Sequence, residues 1–137
     1  MSTPLDLLRR HYAAVDAGDL DADEALFDAE VETVNPMGTL SSFKEFRAVN
    51  EALLAALSST RHEIVRSFTE GDTVVVEGLF TGRHTGPMHT PDGELPPTGN
   101  TVTFPFADFF QVRDGRCVSH RVYWDNMAMM AQLGALG

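Results

Sequence analysis

Residues 101–124 read TVTFPFADFFQVRDGRCVSHRVYW and predict two antiparallel strands joined by a tight turn. Apolar and polar side chains alternate along the first strand, which is the period of a strand with one buried face. Asp108 is the polar exception on the apolar face, whose other members are Val102, Phe104, Phe106, Phe110 and Val112. Burying a carboxylate costs several kcal/mol unless it is neutralised or paired. Asp108 is therefore our first candidate for a catalytic residue.

The second strand repeats the pattern, with His120 as the polar exception beside Val118, Val122 and Trp124. A two-residue turn at 114–115 would put the two apolar faces on opposite sides of the sheet. A three-residue loop at 113–115, with Gly115 in the left-handed conformation, avoids this. It would set Asp108 directly opposite His120, with Cβ atoms about 5 Å apart. We expect this register, although a buried Asp–His pair can also serve only to fix the strands.

Composition predicts one domain over residues 1–137, long enough for a hydrophobic core. The net charge of −10 argues against nucleic acid and anionic membrane partners, because both need a basic patch. No signal peptide or membrane-spanning stretch is expected, since no basic segment precedes an apolar run near Met1. A lone cysteine, Cys117, excludes an internal disulfide and predicts a cytoplasmic protein.

The order of predicted elements is typical of an α+β fold with helices over one face of a mostly antiparallel sheet. Helices are predicted at 4–17, 20–27, 42–57 and 126–133, and strands near 31–35, 62–69, 73–84 and along the hairpin. Residues 85–100 are rich in proline and glycine and predict a long loop that borders a pocket mouth.

Metal and cofactor chemistry have little support in the sequence. His84 and His89 lie five residues apart in the predicted loop, but no third ligand is well placed. We expect both to be surface residues and predict no metal site. No phosphate-binding loop or dinucleotide fingerprint is present, so no cofactor is expected.

Several short segments, in this order and spacing, make the chain resemble the SnoaL-like polyketide cyclase group of the NTF2-like superfamily. The resemblance covers nearly the whole chain and is carried by residues 17–21, 25–27, 71–76, 82–87, 96–99, 109–116, 120–125 and 132–134. It implies an NTF2-like cone, in which a curved sheet is covered by N-terminal helices and a short C-terminal helix. It also implies a deep apolar pocket for a small hydrophobic molecule.

Ketosteroid isomerases are another branch of this superfamily and use an Asp-Pro-x-Gly segment whose aspartate is the general base. The matching segment here begins at Asn35, which cannot accept a proton in that way. The buried carboxylic acid of the isomerases, which donates a hydrogen bond to an enolate oxygen, falls on Asp108. Their oxyanion tyrosine falls on His11, with Tyr12 beside it. The resemblance therefore implies a retained pocket with rearranged proton chemistry.

The cyclases use an acid/base aspartate on the last strand, and Asp125 is the nearest match. A shifted alignment puts that role on Val122, which cannot perform it. Asp125 also precedes a predicted helix, where aspartate is a favoured N-cap. Epoxide hydrolases of this fold need an Arg-x-Asp segment, and Phe106 stands in place of that arginine.

These observations favour a cofactor-free enzyme that cyclises a small hydrophobic carbonyl compound by intramolecular aldol attack. The catalytic candidates are Asp108, His120 and Asp125. The candidates for substrate binding are His11, Tyr12, Asn35, Asn50, Phe104, Phe106, Phe110 and Trp124. The alternatives are a non-catalytic protein that binds small hydrophobic ligands, or an epoxide hydrolase or isomerase of the same fold.

A homodimer is expected through the outer face of the sheet. The residues of this face are Thr101, Thr103, Phe109, Cys117 and Tyr123. Two of them are aromatic, and this pair is too apolar to leave exposed to water.

Overall fold

The computed structural model describes residues 2–90 and 92–135, so Met1, Pro91, Leu136 and Gly137 of the predicted domain and loop lie outside the described residues. The elements in chain order are α1 (Pro4–Ala17), α2 (Leu20–Glu24), β1 (Phe27–Asn35), β2 (Gly38–Leu40), α3 (Phe43–Ala56), β3 (Leu57–Glu70), β4 (Thr73–His84), β5 (Met88–Thr90), β6 (Gly93–Leu95), β7 (Thr101–Arg113), β8 (Arg116–Trp124) and α4 (Asn126–Gln132). The predicted long helices are confirmed. The predicted helix at 20–27 is shorter, because β1 already begins at Phe27.

The main sheet has six strands in the order β2-β1-β8-β7-β4-β3, and only the β1–β8 pair is parallel. Helix α1 packs on β3, β4 and β7, α3 packs on β1 and β3, and α4 packs on β7. The α+β prediction of a curved, mostly antiparallel sheet covered by helices is confirmed. Within the described ranges, no helix is long and apolar enough to cross a membrane.

Helix α1 is fixed at both ends by local chemistry. The Thr3 hydroxyl accepts the backbone N–H of Asp6 and the Asp6 carboxylate accepts the backbone N–H of Thr3, which is a capping box. Gly18 ends the helix with a positive φ of 73°, a conformation that glycine adopts without strain. One side of α1 packs on the sheet. His11 and Tyr12 lie on that buried side.

The β7–β8 turn differs from the expected three-residue loop. Arg113 pairs with Arg116, so the turn is the two-residue Asp114-Gly115 with positive φ at both positions. Further along, Gln111 pairs with Ser119 but Val112 pairs with Cys117, which leaves Val118 as one extra residue in β8. This β-bulge shifts the pairing by one residue, so a two-residue turn still brings both apolar faces to the same side.

Two expectations about side-chain positions are therefore wrong in detail. Asp108 lies opposite Val122, and His120 lies opposite Phe110, so the predicted partners are diagonal neighbours on the same face. Cys117 was expected on the outer face but is fully buried, because the bulge separates it from His120 and turns it inward.

The predicted loop at 85–100 contains the small β5–β6 hairpin, which pairs apart from the main sheet. His84, expected at the surface, is fully buried at the end of β4. Its Nδ1 accepts the backbone N–H of Thr98 at 3.2 Å, which fastens the following segment to the sheet. His89 is exposed, as expected.

Gly78 on β4 is required by a close approach of the Phe106 ring. A Cβ at residue 78 would lie 2.4 Å from Cζ of Phe106 and 2.7 Å from the carbonyl oxygen of Glu63. Gly78→Ala should lower the free energy of unfolding by about 1–3 kcal/mol, the usual cost of overpacking. Urea unfolding measures this. Gly82→Ala on the same strand is the control, because its Cβ would meet its nearest atoms at 3.4 Å. Equal losses in both variants would contradict the packing argument.

Candidate active site

A cavity of about 390 Å³ lies between the inner face of the sheet and helices α1, α3 and α4. Most of its wall is apolar and includes aromatic residues and methionines, namely Phe46, Phe80, Phe104, Phe106, Trp124, Met37, Met88, Met129 and Met130. Five of the polar side chains in the wall gather at one end, and they are His11, Tyr12, His62, Asp108 and His120. A largely apolar pocket with a few convergent polar groups is the usual form of a small-molecule site.

Asp108 is the centre of this polar end. The Tyr12 hydroxyl donates a hydrogen bond of 2.7 Å to Oδ2 of Asp108. His120 Nε2 lies 3.0 Å from Oδ2 and 2.9 Å from Oδ1, with hydrogen-bond geometry that favours Oδ2. All three side chains are at most 5% exposed. The helix α1 and both strands of the hairpin therefore meet at one carboxylate.

The surroundings of Asp108 keep it ionised. Burial raises the pKa of this carboxyl, but the adjacent His120 charge and the hydrogen bonds from His120 and Tyr12 lower that pKa below its usual value. Burial and the Asp108 charge raise the pKa of Tyr12, so its hydroxyl stays protonated and donates a hydrogen bond to Asp108. The resemblance to the isomerases implied a neutral carboxylic acid at Asp108. The structure instead has a carboxylate that accepts two hydrogen bonds.

Two further His–Asp pairs border the same end. His11 Nδ1 lies 2.6 Å from Oδ1 of Asp23, and both residues are buried. His62 Nδ1 lies 2.7 Å from Oδ1 of Asp16. The His62 ring stacks on the Tyr12 ring, with centroids 4.8 Å apart and planes within 5°.

Sequence analysis missed Asp16, Asp23 and His62. A signal existed for Asp16, because it lies one helical turn after Tyr12 on the same side of α1. Nothing in the spacing pointed to Asp23 or His62, since their contacts depend on how α2 and β3 pack against α1.

The candidate substrate-binding residues divide into two groups. Asn35, Asn50, Phe104, Phe106 and Trp124 line the cavity together with His11 and Tyr12. Asn50 is buried, and its Nδ2 has no hydrogen-bonding partner within residues 2–90 and 92–135. Phe110 does not line the cavity. It is fully buried behind the wall, with its ring against His11, Phe27 and His120.

Asp125, the third catalytic candidate, is exposed and is not part of the cavity wall. Its carboxylate accepts the backbone N–H of Ala128 at 3.0 Å and so caps α4. Val122 occupies the cavity-facing position on β8. The structure therefore places Asp125 in the N-cap position of α4, outside the cavity wall, whereas Val122 lines the cavity.

The β5 strand contributes to the cavity wall through Met88, His89 and Thr90. This agrees with the prediction that the proline-rich segment borders the pocket. Among the residues that the structure describes, no group of three or more His, Cys, Asp or Glu side chains is arranged to hold a metal ion.

A curved sheet closed by helices over an apolar cavity is an NTF2-like fold, shared with solved structures described as NTF2-like and as having a ketosteroid isomerase-like fold. The sequence gives a narrower assignment, because the model of the family described as SnoaL-like polyketide cyclase matches residues 6–133. The chain belongs to the SnoaL-like polyketide cyclase family. Among curated proteins, no sequence matches it.

Three solved structures with this fold are between 21% and 25% identical to the chain. A candidate SnoaL-like polyketide cyclase from Jannaschia sp. CCS1 is 22% identical, with 96% of this chain and 92% of that one covered and a TM-score of 0.85. IdmH from Streptomyces antibioticus, described as a candidate polyketide cyclase, is 25% identical, with coverage of 97% and 99% and a TM-score of 0.83. A hypothetical protein with a ketosteroid isomerase-like fold from Catenulispora acidiphila DSM 44928 is 21% identical, with coverage of 97% and 95% and a TM-score of 0.78; its structure contains trimethylamine.

Asp108 should make stability depend on pH in the acid range. Its pKa is lowered in the folded state, so its contribution is present above the unfolded value of 3.8 and is lost as the pH falls below it. Asp108→Asn should lower the free energy of unfolding at pH 7 by roughly 3–5 kcal/mol, as expected for a broken buried pair. The difference from the wild-type protein should shrink below pH 3.8.

Urea unfolding across the acid range measures this difference. The matched control is Asp114→Asn, an exposed aspartate in the turn of the same hairpin, where Asn also tolerates the positive φ. Its stability should follow the wild-type curve. An Asp108→Asn deficit that stays constant with pH would show that the carboxylate charge is not what stabilises the fold.

Proposed function

We propose that this chain is a cofactor-free acid/base enzyme that cyclises a small hydrophobic carbonyl compound, a polyketide ester, by intramolecular aldol attack. The observation that carries the proposal is the Tyr12–Asp108–His120 hydrogen-bonded chain at the polar end of an apolar cavity. Membership of the SnoaL-like polyketide cyclase family supports the same reaction class.

An aldol cyclisation needs three things from a site. A proton next to a carbonyl must be removed, the enolate oxygen must be stabilised, and the alkoxide formed by ring closure must be protonated. In the proposal, Asp108 and His120 share the proton transfer. Hydrogen bonds to the developing oxyanions come from Tyr12, Asn35 and Asn50, and His11 borders the same end of the cavity. Of these, Asn50 offers an amide group with no partner in the described part of the chain.

The apolar wall has a role in this reaction as well. Phe104, Phe106 and Trp124 hold a flexible substrate in a folded conformation. Part of the entropy loss that ring closure requires then occurs when the substrate binds, which lowers the activation barrier. Phe110 acts from behind the wall by fixing the rings of His11 and His120. Met88 and its neighbours on β5 shield the proton transfer from bulk water.

The second candidate function is non-catalytic binding of a small hydrophobic molecule. Val122 favours it, because the shifted alignment puts the acid/base aspartate of the cyclases at this cavity-facing position. An isomerase or epoxide hydrolase is less well supported. Asn35 stands in the cavity where the isomerases have their general base, and Phe106 replaces the arginine of the hydrolases.

Deuterium exchange at carbon separates an enzyme from a binder. The probe is 2-tetralone, a bicyclic ketone with acidic α-protons, followed by NMR in D₂O. Trp124 is the only tryptophan and lines the cavity, so its fluorescence measures occupancy. The wild-type protein should bind the probe and accelerate exchange. Asp108→Asn should reduce the exchange rate roughly 10²-fold or more while the probe still binds.

The control is Asp125→Ala, which removes the N-cap of α4 outside the cavity. It should cost about 1 kcal/mol of stability and leave the exchange rate unchanged. Binding without any acceleration by the wild-type protein would favour the ligand-binding alternative. A large loss of exchange in Asp125→Ala would restore Asp125 as a catalytic residue.

We also propose a homodimer through the outer face of the sheet. Phe109 and Tyr123 are 40% and 44% exposed there, and their rings meet edge to face at 6.0 Å. Thr101 and Thr103 extend the same face, whereas Cys117 is not part of it. A broad sheet surface with paired aromatic rings is typical of a protein interface.

Replacing Phe109 by a charge should dissociate the dimer. Sedimentation equilibrium at micromolar concentration should give twice the chain mass for the wild-type protein and the chain mass for Phe109→Glu, because the carboxylate would be buried without a partner. Met127→Glu is the control, since Met127 is 70% exposed and lies on α4 rather than on the sheet. A wild-type protein that sediments as a monomer would end the dimer proposal.

A further inference from the structure

His11 and Asp23 form a second buried His–Asp pair at the same end of the cavity as Asp108. Nδ1 of His11 lies 2.6 Å from Oδ1 of Asp23, and the two residues are 4% and 0% exposed. The His11 ring lies 5.3 Å from the His120 ring, edge to face. Both imidazoles therefore face the same part of the cavity, although their carboxylate partners come from different elements, α2 and β7.

The two imidazoles present different nitrogen atoms to their partners. Asp23 binds Nδ1 of His11, and a carboxylate accepts hydrogen bonds, so this contact favours the tautomer with its proton at Nδ1. In that tautomer Nε2 of His11 carries the lone pair, and Nε2 has no hydrogen-bonding partner within the described ranges. His120 is arranged the other way, because its Nε2 binds Asp108 and its Nδ1 is buried.

Asp108 is poorly suited to take a proton from carbon. The hydrogen bonds from Tyr12 and His120 stabilise its charged form, and a stabilised carboxylate is a weaker base. Nε2 of His11 has no such hydrogen bond in the described part of the chain that would weaken it as a base. A carboxylate that orients an imidazole through Nδ1 and leaves Nε2 free is a recurrent arrangement for general bases.

We propose that His11 is the general base of the reaction, taking from Asp108 and His120 the removal of the carbon proton and leaving them the protonation of the alkoxide, and that Asp23 is its positioning residue. This inference rests on the proposed function, and it divides the two proton transfers between two His–Asp pairs. The C–H bond next to the carbonyl breaks, its proton goes to Nε2 of His11, and the electron pair remains on the enolate. The enolate carbon then attacks the second carbonyl carbon. The resulting alkoxide takes a proton from the Tyr12–Asp108–His120 chain, and exchange with solvent restores both groups.

A purely structural role is the alternative, because the His11–Asp23 contact also joins α1 to α2. The tautomer of His11 distinguishes the two roles without any substrate. Two-bond ¹H–¹⁵N NMR correlations in the wild-type protein should show the proton on Nδ1 and a bare Nε2. Asp23→Asn offers both a donor and an acceptor to Nδ1, so this variant should show a mixture of tautomers. A wild-type His11 with its proton on Nε2 would overturn the inference.

The exchange of 2-tetralone protons then tests the role in catalysis. His11→Gln should reduce the exchange rate roughly 10²-fold or more at saturating probe, as expected for loss of a general base. Asp23→Asn should give a smaller loss in the same rate constant with little change in probe binding. The matched control is His84→Gln, another buried histidine with a hydrogen-bonded Nδ1 that lies outside the cavity wall. It should lower stability but not the exchange rate.

The outcomes separate this inference from the function on which it rests. If the wild-type protein accelerates exchange and His11→Gln keeps that rate, the base is not His11, and the proposed function stands. If the wild-type protein binds the probe without exchange, the proposed function fails and the inference fails with it. If His11→Gln does not fold, the tautomer in the wild-type protein and the rate of Asp23→Asn decide.

Discussion

The buried carboxylate of Asp108 is the constraint on which the rest of the structure depends. A charge removed from water on the inner face of a sheet is tolerated only when donors reach it from nearby elements. Tyr12 supplies one donor from α1 and His120 supplies the other from β8. The bond from Tyr12 holds α1 across the concave face of the sheet, so the requirement that keeps Asp108 charged also shapes the cavity.

The bulge at Val118 makes this arrangement compatible with a tight turn. The alternation of apolar residues was enough to predict that Asp108 and His120 share a face, and that prediction is confirmed. The loop length was wrong, because a bulge adds a residue without any signature in composition. Simple alternation from His120 predicted that Cys117 lies on the outer face of the sheet. The same extra residue in β8 explains why Cys117 is instead buried in the core.

The parts of the site that could be predicted are those that local periodicity or the family resemblance determines. His11 and Tyr12 follow from the buried side of α1, and Asn35 from the turn segment matched to the isomerases. Asp23 and His62 could not be predicted, since a contact between α1 and a short helix or a strand edge depends on tertiary packing. Asp125 was ambiguous for a related reason: only the observed register shows that Val122 faces the cavity.

The free energy that is lost by burying charged pairs around a cavity is itself an argument for function. Three His–Asp pairs, formed by His11, His62 and His120, border one cavity. Replacing a buried ion pair by apolar residues of similar volume is often neutral or stabilising, and larger side chains could fill much of the cavity. One pair would be enough to fix the hairpin register. Stability alone does not account for three such pairs around a cavity of about 390 Å³, whereas the proposed proton transfers use two of them, those of His11 and His120.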